Sequence, residues 1–120
     1  MEEAGKLQCI IDSIIYQQMK CGGCKNVIAL HGSIYENTCP HCGKIYSMEY
    51  MRDSEKIPRC ESCGTVIRPG VKLFGEMMNS TIMSEASSQV EQADVLLLLG
   101  TSVASEVYSK YLNHFEGRYL

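Results

Sequence analysis

The sequence predicts an α/β fold in which part of a parallel sheet carries an inserted zinc-ribbon module. Three observations predict it. "NVIAL" (26–30) and "DVLLLLG" (94–100) are compact apolar runs of the kind that form buried strands. The second run, the helical pattern behind it and the closing "RYL" give a strand, a helix and the opening of a further strand, the order of a βαβ unit. Between the runs lie two C-x-x-C pairs with metal-ligand spacing.

Taking the elements in order, Leu7, Ile10, Ile11, Ile14, Ile15 and Met19 recur at helical spacing, with Asp12 as a cap and Gly22-Gly23 as a stop. The run Cys9-Ile10-Ile11 fits equally well as the end of a short strand. Asn26 to Leu30, rich in β-branched residues, reads as a buried strand. Residues 34–66 change character, with short segments, turn residues and little core of their own. "VKLFGE" (71–76) resumes extended apolar structure. Ser80 can cap a helix over about 81–92 that carries Ile82, Met83, Ala86, Val90 and Ala93. "DVLLLLG" is apolar throughout, as expected of a strand covered on both faces and lying beside the 27–30 strand. "GTS" then turns into a helix over about 104–115 whose buried face is Val103, Val107, Tyr108, Tyr111, Leu112 and Phe115.

With 120 residues and 45% apolar composition, the chain has the size and make-up of one globular domain. A net charge of −3 leaves no broad basic field, which argues against general nucleic-acid binding. The ribbon's basic residues, Lys44, Arg52, Lys56 and Arg59, are interspersed with acidic ones and form no stripe. No apolar stretch has membrane-spanning length, and the acidic "MEEAGK" start lacks the positive segment of a secretory signal. These features predict a cytoplasmic protein whose seven cysteines are thiols or metal ligands, not disulfides.

Cys39 and Cys42 form one pair and Cys60 and Cys63 the other, with seventeen residues between them and Gly43 and Gly64 closing each knuckle. Four thiolates complete a tetrahedral structural zinc site with no open position for catalysis. His41 is surplus to that shell and reads as a solvent-facing turn residue. Cys21-Gly22-Gly23-Cys24 is a third C-x-x-C, open to metal binding or redox pairing, although a redox motif should open a helix and this one follows one.

"VIALHGS", the two knuckles, "IRPGVKLFGE" and "DVLLLLGTS" together resemble, in order and spacing, the sirtuins, the NAD-dependent protein deacylases; the likeness runs from about Lys25 to Val103. It implies a partial Rossmann-like NAD-binding domain (1–33 and 67–120) interrupted by the zinc-binding module (34–66). It also implies that His31 is the general base that deprotonates a ribose hydroxyl of NAD. The residue-level alternative is a histidine that ends a strand and bonds within the fold. Val71, Phe74, Gly75 and Glu76 match the segment that pairs with an acyl-lysine peptide as an added strand; an ordinary edge strand with Phe74 in the core fits the residues as well. Gly100, Thr101 and Ser102 match the turn that contacts NAD.

The departures are specific. The family usually has Asp where this chain has Gly70, and a hydrophobic residue where it has Lys72. Its "TQNID" falls on Asp12 to Tyr16, placing Ile14 at the catalytic asparagine and Tyr16 at the acid. Nothing among these residues matches the family's glycine-rich "GAGxS" and "GIPDFR" segments. The expectation is therefore a truncated or degenerate sirtuin-type deacylase, inactive alone and prone to associate through an exposed sheet. The alternative is a non-catalytic zinc-ribbon module that binds a peptide.

Overall fold

The computed structural model describes residues 1–102 and 104–119. Val103, expected on a buried helix face, and Leu120, expected in the last strand, lie outside the described residues.

The first strand, β1, is Ile10–Asp12, and one helical turn, α1, follows at Gln18–Cys21. The expected helix across Leu7 to Met19 is not formed. Ile10, Ile11 and Asp12 instead pair in parallel with Val27, Ile28 and Ala29 of β2 (Val27–Ala29). The ladder continues through Ile10 N–H to Asn26 O (3.0 Å) and Leu30 N–H to Asp12 O (2.9 Å). Asp12 does cap, but it caps a turn: its carboxylate accepts from Ile14 N–H (2.8 Å) and is 9% exposed. Gln17, the residue that opens α1, sits at φ 49, a left-handed conformation that side chains disfavour.

The module that follows is built on two short antiparallel strands, β3 (Asn37–Thr38) and β4 (Ile45–Tyr46), and a helix, α2 (Met48–Asp53), capped by the Ser47 hydroxyl. Its buried cluster is Cys39, Tyr46, Cys60 and Ile67.

The chain then returns through the longest helix, α3 (Ser80–Glu91). Its cap is Asn79, one residue before the expected Ser80; the Asn79 side chain accepts from the Thr81 and Ile82 N–H groups. β5 (Val95–Leu96), α4 (Glu106–Leu112) and β6 (Arg118–Tyr119) complete a parallel βαβ unit, with Val95 opposite Arg118 and Leu96 opposite Tyr119. The main core joins β2 to α3 and α4 through Ile28, Leu30, Ala86, Val90, Tyr111 and Phe115. Burying those side chains is the main stabilising term for this layer.

Two expectations fail at β5. Among the described residues no ladder joins β2 to β5; β1–β2 and β5–β6 are separate parallel pairs. The run from Val95 to Leu99 is not covered on both faces either: Leu97 is 55% exposed and Leu99 75%. An all-apolar pattern reports what a strand is suited to bury, not whether these residues supply the cover. No helix among the described residues is long and apolar enough to cross a membrane.

Candidate functional site

The two cysteine knuckles share one backbone design. Cys39 N–H donates to Lys44 O (2.9 Å) and Gly43 N–H to Cys39 O (3.0 Å). Cys60 N–H donates to Thr65 O and Gly64 N–H to Cys60 O, both at 2.7 Å. Gly43 and Gly64 have φ 75 and 72, so each turn needs a residue free to adopt the left-handed region. The four sulfurs lie within 4.8 Å of one another. Three separations are 3.5 Å (Cys39–Cys63), 3.4 Å (Cys42–Cys60) and 3.9 Å (Cys63–Cys42). A tetrahedral ion with Zn–S bonds of about 2.3 Å spaces its sulfurs by roughly 3.8 Å, so donor set and geometry both fit structural zinc.

The surroundings tune those thiols unevenly. The Tyr46 hydroxyl donates to Cys60 Sγ (3.2 Å) and accepts from Glu61 N–H (2.8 Å). That donation, ahead of backbone N–H groups, holds Cys60 down to about 5. On Cys42 the Lys44 N–H is the largest single influence and pulls downward. The hydrogen bonds with Cys60 and Cys39 outweigh it and push the thiol up to about 11. Such hydrogen bonds to ligand sulfurs orient them for the ion. Sequence reading missed Tyr46; the one available signal was an aromatic four residues past Cys42, too common to stand out. His41 is exposed in a turn, as expected.

The third C-x-x-C has a different construction. Gly23 (φ 92) donates to Lys20 O (3.0 Å) and Cys24 N–H to Met19 O (3.0 Å), the paired bonds of a Schellman cap that ends α1. Its glycine lies between the cysteines, whereas each knuckle's lies after them. Among the described residues Cys21 and Cys24 share no metal-ready cluster with a third ligand.

His31 follows directly on β2 and is half-buried. Its carbonyl accepts from Lys72 N–H (2.9 Å), and Gly32 forms an antiparallel bridge with Val71. The structure therefore brings the end of β2 and the start of the 71–76 segment together through their backbones. Beyond Val71 that segment departs from the expected extended form. Leu73 to Glu76 make a tight turn, with Glu76 N–H donating to Leu73 O (3.1 Å) and Gly75 at φ 84. Phe74 stands at its tip, fully exposed, so the core-packed alternative fails. The Glu76 carboxylate accepts from Arg68 and from Leu73 N–H (2.9 Å), and the Arg68 guanidinium first, then that N–H, hold it below the usual carboxylate range.

The Asp12–Tyr16 stretch lies alongside the His31 loop, because Ile34 N–H donates to Ile15 O (3.2 Å). It presents Ile14 (46% exposed) and Tyr16 (52% exposed) where the resemblance expects an asparagine and an acid. Gly100 (φ 69), Thr101 and Ser102 form the turn after β5, and Ser105 N–H donates to Ser102 O (3.0 Å) on the way into α4. Among the described residues no hydrogen bond links this turn to His31 or to Val71–Glu76. Asn37, which sequence reading missed, ties the ribbon to the body. It is 2% exposed, its amide donates to Ile34 O (2.9 Å) and Tyr46 O (3.3 Å), and its oxygen accepts from Gly70 N–H (3.1 Å). An isolated polar residue in a short strand carries no periodic signal.

The sequence profile of the Sir2 family matches residues 1–108. An NAD-dependent protein deacetylase of Clostridium acetobutylicum is 36% identical over 121 residues, covering 100% of this chain and 49% of the relative. NAD-dependent protein deacylase 1 of Archaeoglobus fulgidus is 36% identical over 102 residues, covering 85% of this chain and 42% of its own. A solved Sir2–p53 peptide–NAD+ structure superposes with a TM-score of 0.86 at 28% identity, over 98% of this chain and 52% of that one. The chain spans about half the length of the curated relatives it matches. With the profile matched across nine-tenths of its length and the fold shared with solved relatives, the chain belongs to the Sir2 family.

Proposed function

We propose that this chain is the portion of a sirtuin-type NAD-dependent protein-lysine deacylase that holds the general base, the peptide-pairing edge and the structural zinc. In this reading His31 is the base, Val71, Phe74, Gly75 and Glu76 meet an acyl-lysine peptide, and Gly100, Thr101 and Ser102 contact NAD. Residues 1–33 and 67–120 form the NAD-binding body and 34–66 the zinc module, in keeping with two separate buried clusters. The observation that carries the reading is the backbone junction of His31–Gly32 with Val71–Lys72, which sets a candidate base beside a candidate peptide edge. The names of the relatives and the peptide and NAD of the solved Sir2 complex support the same assignment.

An imidazole suits the role because it takes and releases a proton near neutral pH. It must also lie within hydrogen-bond reach of the hydroxyl it serves. NAD, when bound, supplies the ribose and the nicotinamide leaving group. The chain's part is to hold the peptide edge and accept the proton at the imidazole. Zinc braces the module and takes no part in the chemistry. The reading also carries a cytoplasmic location and self-association through the exposed β5 run.

Calorimetry on the zinc-loaded chain, with NAD and with an acetyl-lysine peptide in turn, tests the proposal. Binding of both supports it. Binding of the peptide alone supports the non-catalytic binding module, and binding of neither overturns the assignment.

A further inference from the structure

We propose that Lys72 determines substrate preference, so that the peptide received along Val71–Glu76 brings a carboxylate to it. The inference rests on the peptide-pairing reading above and adds the chemical class of what is paired.

Lys72 is anchored where such a peptide would lie. Its N–H is committed to His31 O (2.9 Å), and its neighbour Val71 bridges Gly32. Its side chain is exposed. Lys72 and Arg68 rim a groove of about 290 Å³ whose apolar lining includes Leu30, Val71 and Ile82. Arg68 is already paired with Glu76; among the described residues Lys72 forms no ion pair of its own and acts on the same Glu76 carboxylate only at longer range. Two cations against one carboxylate leave this rim one positive charge in excess, in a chain whose net charge is −3.

An apolar groove with one positive charge in excess at its rim is complementary to an extended peptide bearing a nearby anion, and such complementarity sets specificity more than raw affinity. The carboxylate has two possible sources: an acidic side chain beside the acylated lysine, or an acyl group that itself ends in a carboxylate.

Three labelled peptides of one length separate these outcomes by fluorescence anisotropy with the zinc-loaded chain. The first carries acetyl-lysine in neutral flanks, the second acetyl-lysine between glutamates, and the third succinyl-lysine in neutral flanks. At low salt one acidic peptide should bind about three- to fivefold tighter than the neutral one, as a partly exposed ion pair allows. High salt should shrink that gain and Lys72→Met should remove it. Whichever acidic peptide gains identifies the carboxylate's source. Equal binding of all three, or a gain that survives Lys72→Met, overturns the inference and leaves the peptide-pairing reading standing. If none of the three binds, that reading falls and the inference with it.

Discussion

Gly32 and Gly70 meet backbone to backbone. A Cβ on Gly32 would fall inside van der Waals contact with Gly70 O, and one on Gly70 would collide with Glu36 O and lie 2.7 Å from Ser33 O. Ser33 N–H donates to Gly70 O (3.0 Å) across the same junction. This contact, with Asn37, ties the loop after β2 to the segment that leads to Lys72. Any side chain at position 70, the Asp that the resemblance expects included, would meet that backbone.

Gly70→Ala should therefore destabilise the fold, because the atoms in the way are backbone and cannot swing aside. Overpacking of this kind costs about 1–3 kcal/mol. Thermal melting of the zinc-loaded variant should show the loss. A melting temperature equal to that of the parent would mean that the loop has room to spare.

The zinc centre predicts one ion per chain. Its module has a small buried core, two of whose four residues are candidate ligands, so metal and stability should be linked. Cys60→Ala should lose both the ion and the protease resistance of residues 34–66. Freshly purified, chelator-free protein with metal content near zero would sink the assignment.

Much of this was legible in the sequence where the signal is local. Cys39, Cys42, Cys60 and Cys63 were readable because a knuckle is specified by its own spacing and its own glycine. β2 and α3 were readable from apolar pattern alone. β1 was ambiguous because Ile10, Ile11, Ile14 and Ile15 satisfy helical spacing, and only pairing with Val27–Ala29 decides for strand. Asn79 and Ser80 are both good caps, and the backbone chose the first. Asn37 and Gly70 act through residues distant in sequence, which no local pattern reports. The turn at Phe74–Gly75 was missed because apolar residues around a glycine also suit an edge strand.

The amino-terminal segment should loosen in acid. The Glu2 carboxylate accepts from Asn26 N–H (3.0 Å) and Lys25 N–H (2.9 Å), and these bonds, Asn26 first, lower its pKa from 4.5. A depressed folded value means that the tether is fully present above 4.5 and is lost as pH falls through the lower folded value. The amide proton shifts of Lys25 and Asn26 should titrate together with a midpoint below 4.5, and Glu2→Gln should abolish the transition. A midpoint at or above 4.5 would contradict the tether.

The β5 run predicts self-association. Val95, Leu97 and Leu99 are 51%, 55% and 75% exposed, an apolar strip next to a strand paired, among the described residues, only to β6. Such strips mark interfaces or aggregation sites. Sedimentation should show concentration-dependent association, reduced by a Leu97→Lys, Leu99→Lys double variant. A clean monomer at high concentration, with low binding of a hydrophobic dye, would contradict this.

The last prediction concerns His31. In the proposed reading it is the base beside a peptide edge, its backbone joined to that segment through Lys72 N–H and the Gly32–Val71 bridge. Its neighbouring stretch, held alongside by the Ile34–Ile15 hydrogen bond, offers Ile14 and Tyr16 where a catalytic asparagine and an acid would stand. By the resemblance, the asparagine and the phosphate-cradling glycines hold the ribose, and Ile14 has no amide to take that part. Orientation of a reacting group can contribute several orders of magnitude in rate, so an intact base cannot make up for its loss. The zinc-loaded 120-residue chain should thus release no measurable nicotinamide from NAD with an acetyl-lysine peptide. If it turns over at an enzyme-like rate and His31→Ala abolishes that rate, then Ile14 and Tyr16 are no obstacle and the site is more complete than these contacts indicate.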